Sequence, residues 1–388
     1  MECKKHLFSI DDHVTYLNTG YMSPSMKAMD EVGRQAVNRK SKPHLFTTND
    51  FFNPAVGVKK SFSKLIHAPS YEQVAIIPSV SYGMASVTNN ISLLPYEEVL
   101  VVEDQFPSNI YPWTRLIGGD LNRLKIVGPD STGPRGATWN RNILDSIHEK
   151  TKVVAIPQVH WSEGIIYDLV SIRKKCDEME ALLIIDGTQS VGALPFSVEE
   201  IKPDALICGG YKWLMGPYSI GCAYYSEKWN NGIPVEENWS HRKDSDVFSR
   251  LTDYQASYRP GAARYSVGES SNFVLLPMLQ MALDTLNEWG PQNIQSYCRE
   301  LSDDVWDSMS EMGFTPPDAG AAHHLFGIKI PDDMDLEALT SFLRKEHIYV
   351  SMRGRYIRVS PWIINEKKDL LKLKEALVRF TEMAYMPK

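Results

Sequence analysis

The chain has 388 residues, 43% hydrophobic and 23% charged, the make-up of an ordinary globular protein long enough for a large domain and a smaller one. A net charge of −7 with both signs interspersed leaves no basic stripe for nucleic acid, and no apolar run nears the ~20 residues of a membrane span. The opening Met1-Glu2-Cys3-Lys4-Lys5-His6 has no apolar leader stretch and the five cysteines form no Cys-x-x-Cys pair, so we expect a cytoplasmic protein with neither a disulfide framework nor a bound metal.

Between residues 70 and 226, short Val/Ile/Leu-rich runs alternate with segments of helical period, the sign of βαβ units and a mostly parallel sheet with helices on both faces. Strands are predicted at Val74 to Ile77, Val99 to Val102, Leu124 to Val127, Val153 to Ile156, Leu182 to Ile185, Ala205 to Cys208 and Gly221 to Tyr225. Between them a helix over Asp168 to Ala181 sets Leu169, Ile172 and Cys176 on one stripe, and the Gly/Pro cluster from Gly128 to Gly136 reads as a surface loop. After Pro260-Gly261 come long helices, Phe273 to Trp289 and Ile294 to Met312. A small α+β unit follows: strand His324 to Ile330, helix Leu336 to His347, strands Ile348 to Met352 and Tyr356 to Ser360, and helix Lys367 to Ala384. The expected division is an N-terminal segment 1–20 packing on the small domain, a large domain 21–280 and a small domain 281–388.

Two of these strands end in groups that belong together chemically. Leu182-Leu183-Ile184-Ile185 runs into Asp186, and Ala205-Leu206-Ile207-Cys208-Gly209-Gly210-Tyr211 runs into Lys212. A carboxylate at the carboxyl edge of an open sheet and a partly desolvated amine beside it suit pyridoxal 5′-phosphate: the amine forms a Schiff base with the aldehyde, and the carboxylate keeps the pyridine nitrogen protonated. Upstream, Pro78-Ser79-Val80-Ser81 leads from a strand into a helix start that suits a phosphate, though serines there also serve as plain N-caps. Tyr211 is a further phosphate donor candidate, Gln189 a donor to the phenolic oxygen, and the Phe106 ring a stacking face.

The set Tyr16-Leu17-Asn18-Thr19-Gly20, Phe106-Pro107-Ser108-Asn109, Asp186-Gly187-Thr188-Gln189, Gly210-Tyr211-Lys212 and Tyr356-Ile357-Arg358-Val359-Ser360-Pro361 resembles the class V aminotransferase family in order and spacing. That family is the fold type I group that includes cysteine desulfurases, kynureninases and isopenicillin N epimerases. The resemblance implies the Schiff-base lysine at Lys212, the pyridine partner at Asp186, the phenolic-oxygen donor at Gln189, ring stacking at Phe106 and the phosphate loop at Val80 and Ser81. It further implies a carboxylate-gripping arginine at Arg358, a residue near the substrate carboxylate at Asn18, and a homodimer with shared active sites. Relatives send a Gly-Thr-Pro loop across the interface where this chain has Arg264 to Asn272; the Thr-Pro is missing, which leaves Ser270 as the candidate phosphate donor from the partner chain. His160 and Trp161 match the segment over the cofactor face. His160 is taken as a candidate for proton transfer and Trp161 as a wall of the substrate pocket.

Two departures narrow the reading. Tyr211 stands where desulfurases have histidine, and Val350 to Ile357 holds no cysteine where desulfurases carry their nucleophile, which argues against a persulfide-forming desulfurase. The expected function is a pyridoxal-phosphate enzyme acting on the amino group or α-carbon of an amino acid, aminotransferase-like first. A C-S lyase stands second, an isopenicillin N epimerase-like epimerase third, and a non-enzymatic binding protein that keeps the fold is the outside reading.

Overall fold

The computed structural model describes residues 1–385. Its strands in chain order are β1 (Thr15–Tyr16), β2 (Val74–Ile77), β3 (Glu98–Val102), β4 (Leu124–Val127), β5 (Thr151–Pro157), β6 (Leu182–Asp186), β7 (Ala205–Gly209), β8 (Gly221–Tyr225), β9 (Phe326–Lys329), β10 (Ile348–Tyr349), β11 (Ser351–Arg353) and β12 (Tyr356–Val359). Seven of them build one sheet in the order β2-β8-β7-β6-β5-β3-β4. Strand β8 is antiparallel to both neighbours and the other six run the same way. The expected α/β class with a mostly parallel sheet is what the structure shows.

All but the edge strand β4, whose Lys125 and Ile126 are exposed, are buried on both faces, which is why they read as nearly unbroken apolar runs rather than alternating ones. Successive residues nevertheless serve different cores: Leu100, Val154, Ile156, Leu183 and Ile185 pack into one cluster, while Val99, Val101, Val153, Ala155 and Ile184 pack into another on the opposite face. The first cluster continues without a break into Ile328, Ile357, Val359 and Trp362, so one apolar core runs from the large sheet to the C-terminal one.

The C-terminal sheet is antiparallel, ordered β11-β12-β9. The predicted strand Ile348 to Met352 is divided: β10 pairs in parallel with β1, and β11 turns into a hairpin with β12. The predicted helix Ile294 to Met312 also divides. Its α-helical part is Pro291–Ser302; Asp303 is extended and Asp304 has φ of 63°, so the chain re-enters as a 3-10 turn at Asp307–Met312. The N-terminal segment is tied to the C-terminal strands through Leu17 N–H to Tyr349 O (2.9 Å) and Ser360 N–H to Leu17 O (2.9 Å).

Candidate active site

Parallel strands deliver their carboxyl ends to one edge, and the candidate residues gather there. Asp186 is the last residue of β6. Lys212 lies three residues past β7, Phe106 four past β3 and Trp161 four past β5; Ser79 and Ser81 follow β2. Together they line a cavity of about 300 Å³, with Val80, Gln189 and Tyr211 also on its wall. Two glycines shape the edge. A Cβ on Gly210 would sit 2.3 Å from Ile220 O, so only glycine lets the chain pass this close to β8 before Lys212. Gly164, with φ of +81°, turns the loop after Trp161, and a Cβ there would sit 2.1 Å from Leu325 O.

The Lys212 amine is buried, and burial, with the Arg358 cation adding to it, brings its pKa down to about 7. Its Nζ lies 5.6 Å from the Phe106 ring centre and 5.5 Å from that of Tyr211. Burial pushes the Asp186 carboxyl the other way, above the usual carboxylate range, against the hydrogen bond that Thr188 N–H donates to Oδ1 (3.0 Å). No ion pair reaches Asp186 or Lys212 among the described residues.

Gln189 is oriented from both ends. Trp213 Nε1–H donates to Oε1 (2.9 Å), and Nε2 donates to Gly20 O (3.0 Å), which leaves the second amide hydrogen free for the cavity. Ser79 caps the helix Val80–Thr88 by accepting from Tyr82 N–H (3.2 Å), and its Oγ is 3.1 Å from Ser81 Oγ. The Val80 and Ser81 amides at this helix start have no intrahelical acceptor. Tyr211 packs at 4.6 Å from the Tyr218 ring, and burial raises its hydroxyl pKa.

An adjoining cavity of about 390 Å³ shares Phe106, Trp161, Tyr211, Lys212 and Tyr218 with the first and adds Gly20, Tyr21, Met22, Arg353 and Arg358. Arg358 is fully buried, and burial together with Arg353 lowers its pKa to about 9. It donates to Trp161 O (3.1 Å) and Ser351 Oγ (3.4 Å), while its Nε finds no partner. A buried guanidinium without a carboxylate is costly unless an anion joins it.

Three expected residues lie elsewhere. His160 does not reach either cavity: its ring packs 4.8 Å from Trp139, with Nδ1 3.3 Å from Ser162 Oγ, and burial lowers its pKa. The reason is alternation, since Pro157, Val159 and Trp161 face the cavity and His160 takes the opposite side. Asn18 sits behind Arg358 rather than beside the cavity, its Oδ1 accepting from Ser351 Oγ at 2.6 Å. Ser270 is not on the wall of its own chain's cavity. Conversely, Arg353, Tyr21, Tyr218 and Ser108 line the cavities without having been singled out. Ser108 stands two residues past Phe106, and Arg353 reaches the wall through the hairpin register that sets it on the same face as Arg358.

The geometry suits pyridoxal phosphate. An unpaired buried carboxylate calls for a buried cation such as a pyridinium, the free helix amides and paired serine hydroxyls for a phosphate, and the neutral-leaning amine for an aldehyde. The family model for aminotransferase class V matches residues 26–365, and the chain belongs to that family. It is a pyridoxal-phosphate-dependent enzyme of aminotransferase or C-S lyase type. It is 24% identical over 313 residues, 80% of each chain, to the uncharacterized aminotransferase YcbU of Bacillus subtilis. Its fold is similar to that of the cysteine desulfurase of Thermococcus onnurineus NA1, with a TM-score of 0.81 at 16% identity over 99% of both chains. It is also similar to the cystine C-S lyase C-DES solved with its reaction product cysteine persulfide, with a TM-score of 0.80 at 16% identity, covering 96% and 98% of the two chains.

Proposed function

We propose that this chain acts on the amino group of an α-amino acid by transamination, with Lys212 as the attachment and proton-moving residue. The observation that carries the reading is the pair of buried, unpaired groups, Lys212 and Asp186, at one sheet edge, with an unpaired Arg358 across the adjoining cavity. When bound, pyridoxal phosphate supplies the electron sink that lets a bond at the substrate α-carbon break. Asp186 holds the proton on the pyridine nitrogen, and Gln189 offers its free amide hydrogen to the phenolic oxygen. Ser79, Ser81 and the Val80 and Ser81 amides take the phosphate; Phe106 and Trp161 wall the site against water. Arg358 grips the α-carboxylate in a bidentate pair, and Asn18 orients it through Ser351.

Epimerisation ranks below transamination because a second base would have to face Lys212, and that wall is Phe106 and Trp161 while His160 points away. A direct C-S lyase is the second reading. The likeness to C-DES favours it, whereas transfer of sulfur to a protein thiol has no support: Cys176, Cys208, Cys222 and Cys298 are buried, and Cys3 is not on either cavity wall. All five thiols are free, which suits a reducing compartment, and we assign the protein to the cytoplasm as a homodimer in which Ser270 belongs to the partner's site.

Purified protein is expected to show a visible absorption band that Lys212→Ala abolishes; a wild type that stays colourless with added pyridoxal phosphate sinks the cofactor placement. Incubation with an amino-acid panel and a keto-acid acceptor then separates the reactions. Keto acid formed in step with a new amino acid supports transamination, released sulfide supports the lyase, and loss of stereochemistry alone overturns both.

A further inference from the structure

The cavity beside Lys212 holds more positive charge than one α-carboxylate can neutralise. Its wall carries Lys212, Arg353 and Arg358 and no acidic side chain. Lys212, brought down to about 7, is only half charged at neutral pH, whereas the two guanidiniums stay charged. Arg353 is near enough to be the chief charged contributor to the lowered pKa of Arg358. Neither forms an ion pair among the described residues.

Their arrangement follows from the hairpin. Ser351 stands opposite Arg358 and Arg353 opposite Tyr356, so Arg353 and Arg358 project from one face as diagonal neighbours. Such positions lie about 7–8 Å apart at the backbone, a span that a side chain of a few carbons bridges. The Arg353 guanidinium lies 5.4 Å above the Trp161 ring, and one of its nitrogens donates to Met352 O (2.7 Å), which holds the plane in place while Nε has no partner. Burial lowers its pKa without discharging it. A fixed, half-buried, unpaired fork at the mouth of the site is built to receive a second anion.

We infer that the substrate is an α-amino acid whose side chain ends in a second anionic group, anchored by Arg353 while Arg358 holds the α-carboxylate. This rests on the proposed placement of the α-carboxylate at Arg358. Arg353 is then the residue that sets specificity.

The test uses ligands that need no chemistry. Glutarate and butyrate, of similar length and differing in the second carboxylate, are titrated into the cofactor-loaded protein, with binding read from tryptophan fluorescence. Glutarate is expected to bind roughly 10- to 100-fold more tightly, as befits one extra charge-assisted pair. Arg353→Met should erase that preference, leave butyrate within about threefold and leave the visible band unchanged; Arg353→Lys should keep part of it. Equal binding of the two ligands by wild type, or an equal loss of both in Arg353→Met, would overturn the inference. If the variant does not fold, the wild-type preference alone decides. Failure of the cofactor placement appears separately, as a missing visible band, because neither ligand has an amine. Turnover of aspartate, glutamate and cysteate against asparagine and glutamine then gives the same ranking in kcat/KM, and cysteate sorts a sulfonate from a carboxylate.

Discussion

Lys212 and Asp186 are shifted toward each other by one cause. Burial disfavours both charged forms, lowering the amine to about 7 and raising the carboxyl, and a cationic ring between them would reverse only the second effect. Asp186→Asn should therefore lower kcat roughly 10²- to 10³-fold, the loss expected when one partner of a buried pair is removed. The cofactor-free form should meanwhile melt no earlier than wild type, since a buried carboxylate has been replaced by a neutral isostere; a large drop in its melting temperature would point to a structural role instead. For Lys212 the folded pKa lies below the unfolded value of about 10.4. The unfolded chain thus binds more protons between those limits, and the neutral, nucleophilic amine accumulates as pH rises through about 7. The rate of cofactor uptake by the cofactor-free protein should climb over that window and level off above it, as stopped-flow absorbance will show. Asn18 acts at one remove through Ser351. Asn18→Ala should raise KM about 3- to 10-fold, the cost of one weakened hydrogen bond, with the visible band unchanged.

Strands place these residues, and the strands were legible because most are short Val/Ile/Leu-rich runs buried on both faces. What periodicity could not separate was direction within a loop. His160 and Trp161 are adjacent, yet alternation sends one to the Trp139 core and the other to the cavity. Nor could it show that β10 leaves its apparent continuation β11 to pair with β1, since that depends on which edge is free. The strand β6 is held to β7 at its far end by a buried polar knot: Asp204 accepts from Arg173 (2.8 Å), Leu183 N–H (2.8 Å) and Lys228 (2.6 Å). Asp204→Ala takes from the buried Arg173 cation its buried carboxylate, leaves it only the exposed Asp177 (2.7 Å), and should cost about 3 kcal/mol in urea unfolding, while binding at the opposite edge in the folded fraction stays near wild type.

In the whole molecule one apolar core joins the large sheet to the C-terminal strands, which fixes the Arg358 hairpin over the Lys212 edge. An aromatic surface, with Trp239, Phe248 and Tyr254 exposed, offers apolar area to the second copy that the proposed homodimer requires. The proposed dimer with shared sites predicts complementation. Mixed subunits of Lys212→Ala and a Ser270 variant, each impaired alone, should recover up to about a quarter of wild-type activity in statistical heterodimers; sedimentation as a monomer at assay concentration would contradict it.

The amino-acid sequence alone determined the class of fold, the seven strands of the main sheet and the Asp186 and Lys212 pair, because burial writes apolar runs into the chain and a polar residue that ends one stands out. Only the tertiary structure decided that His160 faces a core, that Asn18 works through Ser351 and that Arg353 joins Arg358 at one cavity. Those are facts of side-chain direction and of register between segments distant in sequence, which local pattern does not encode.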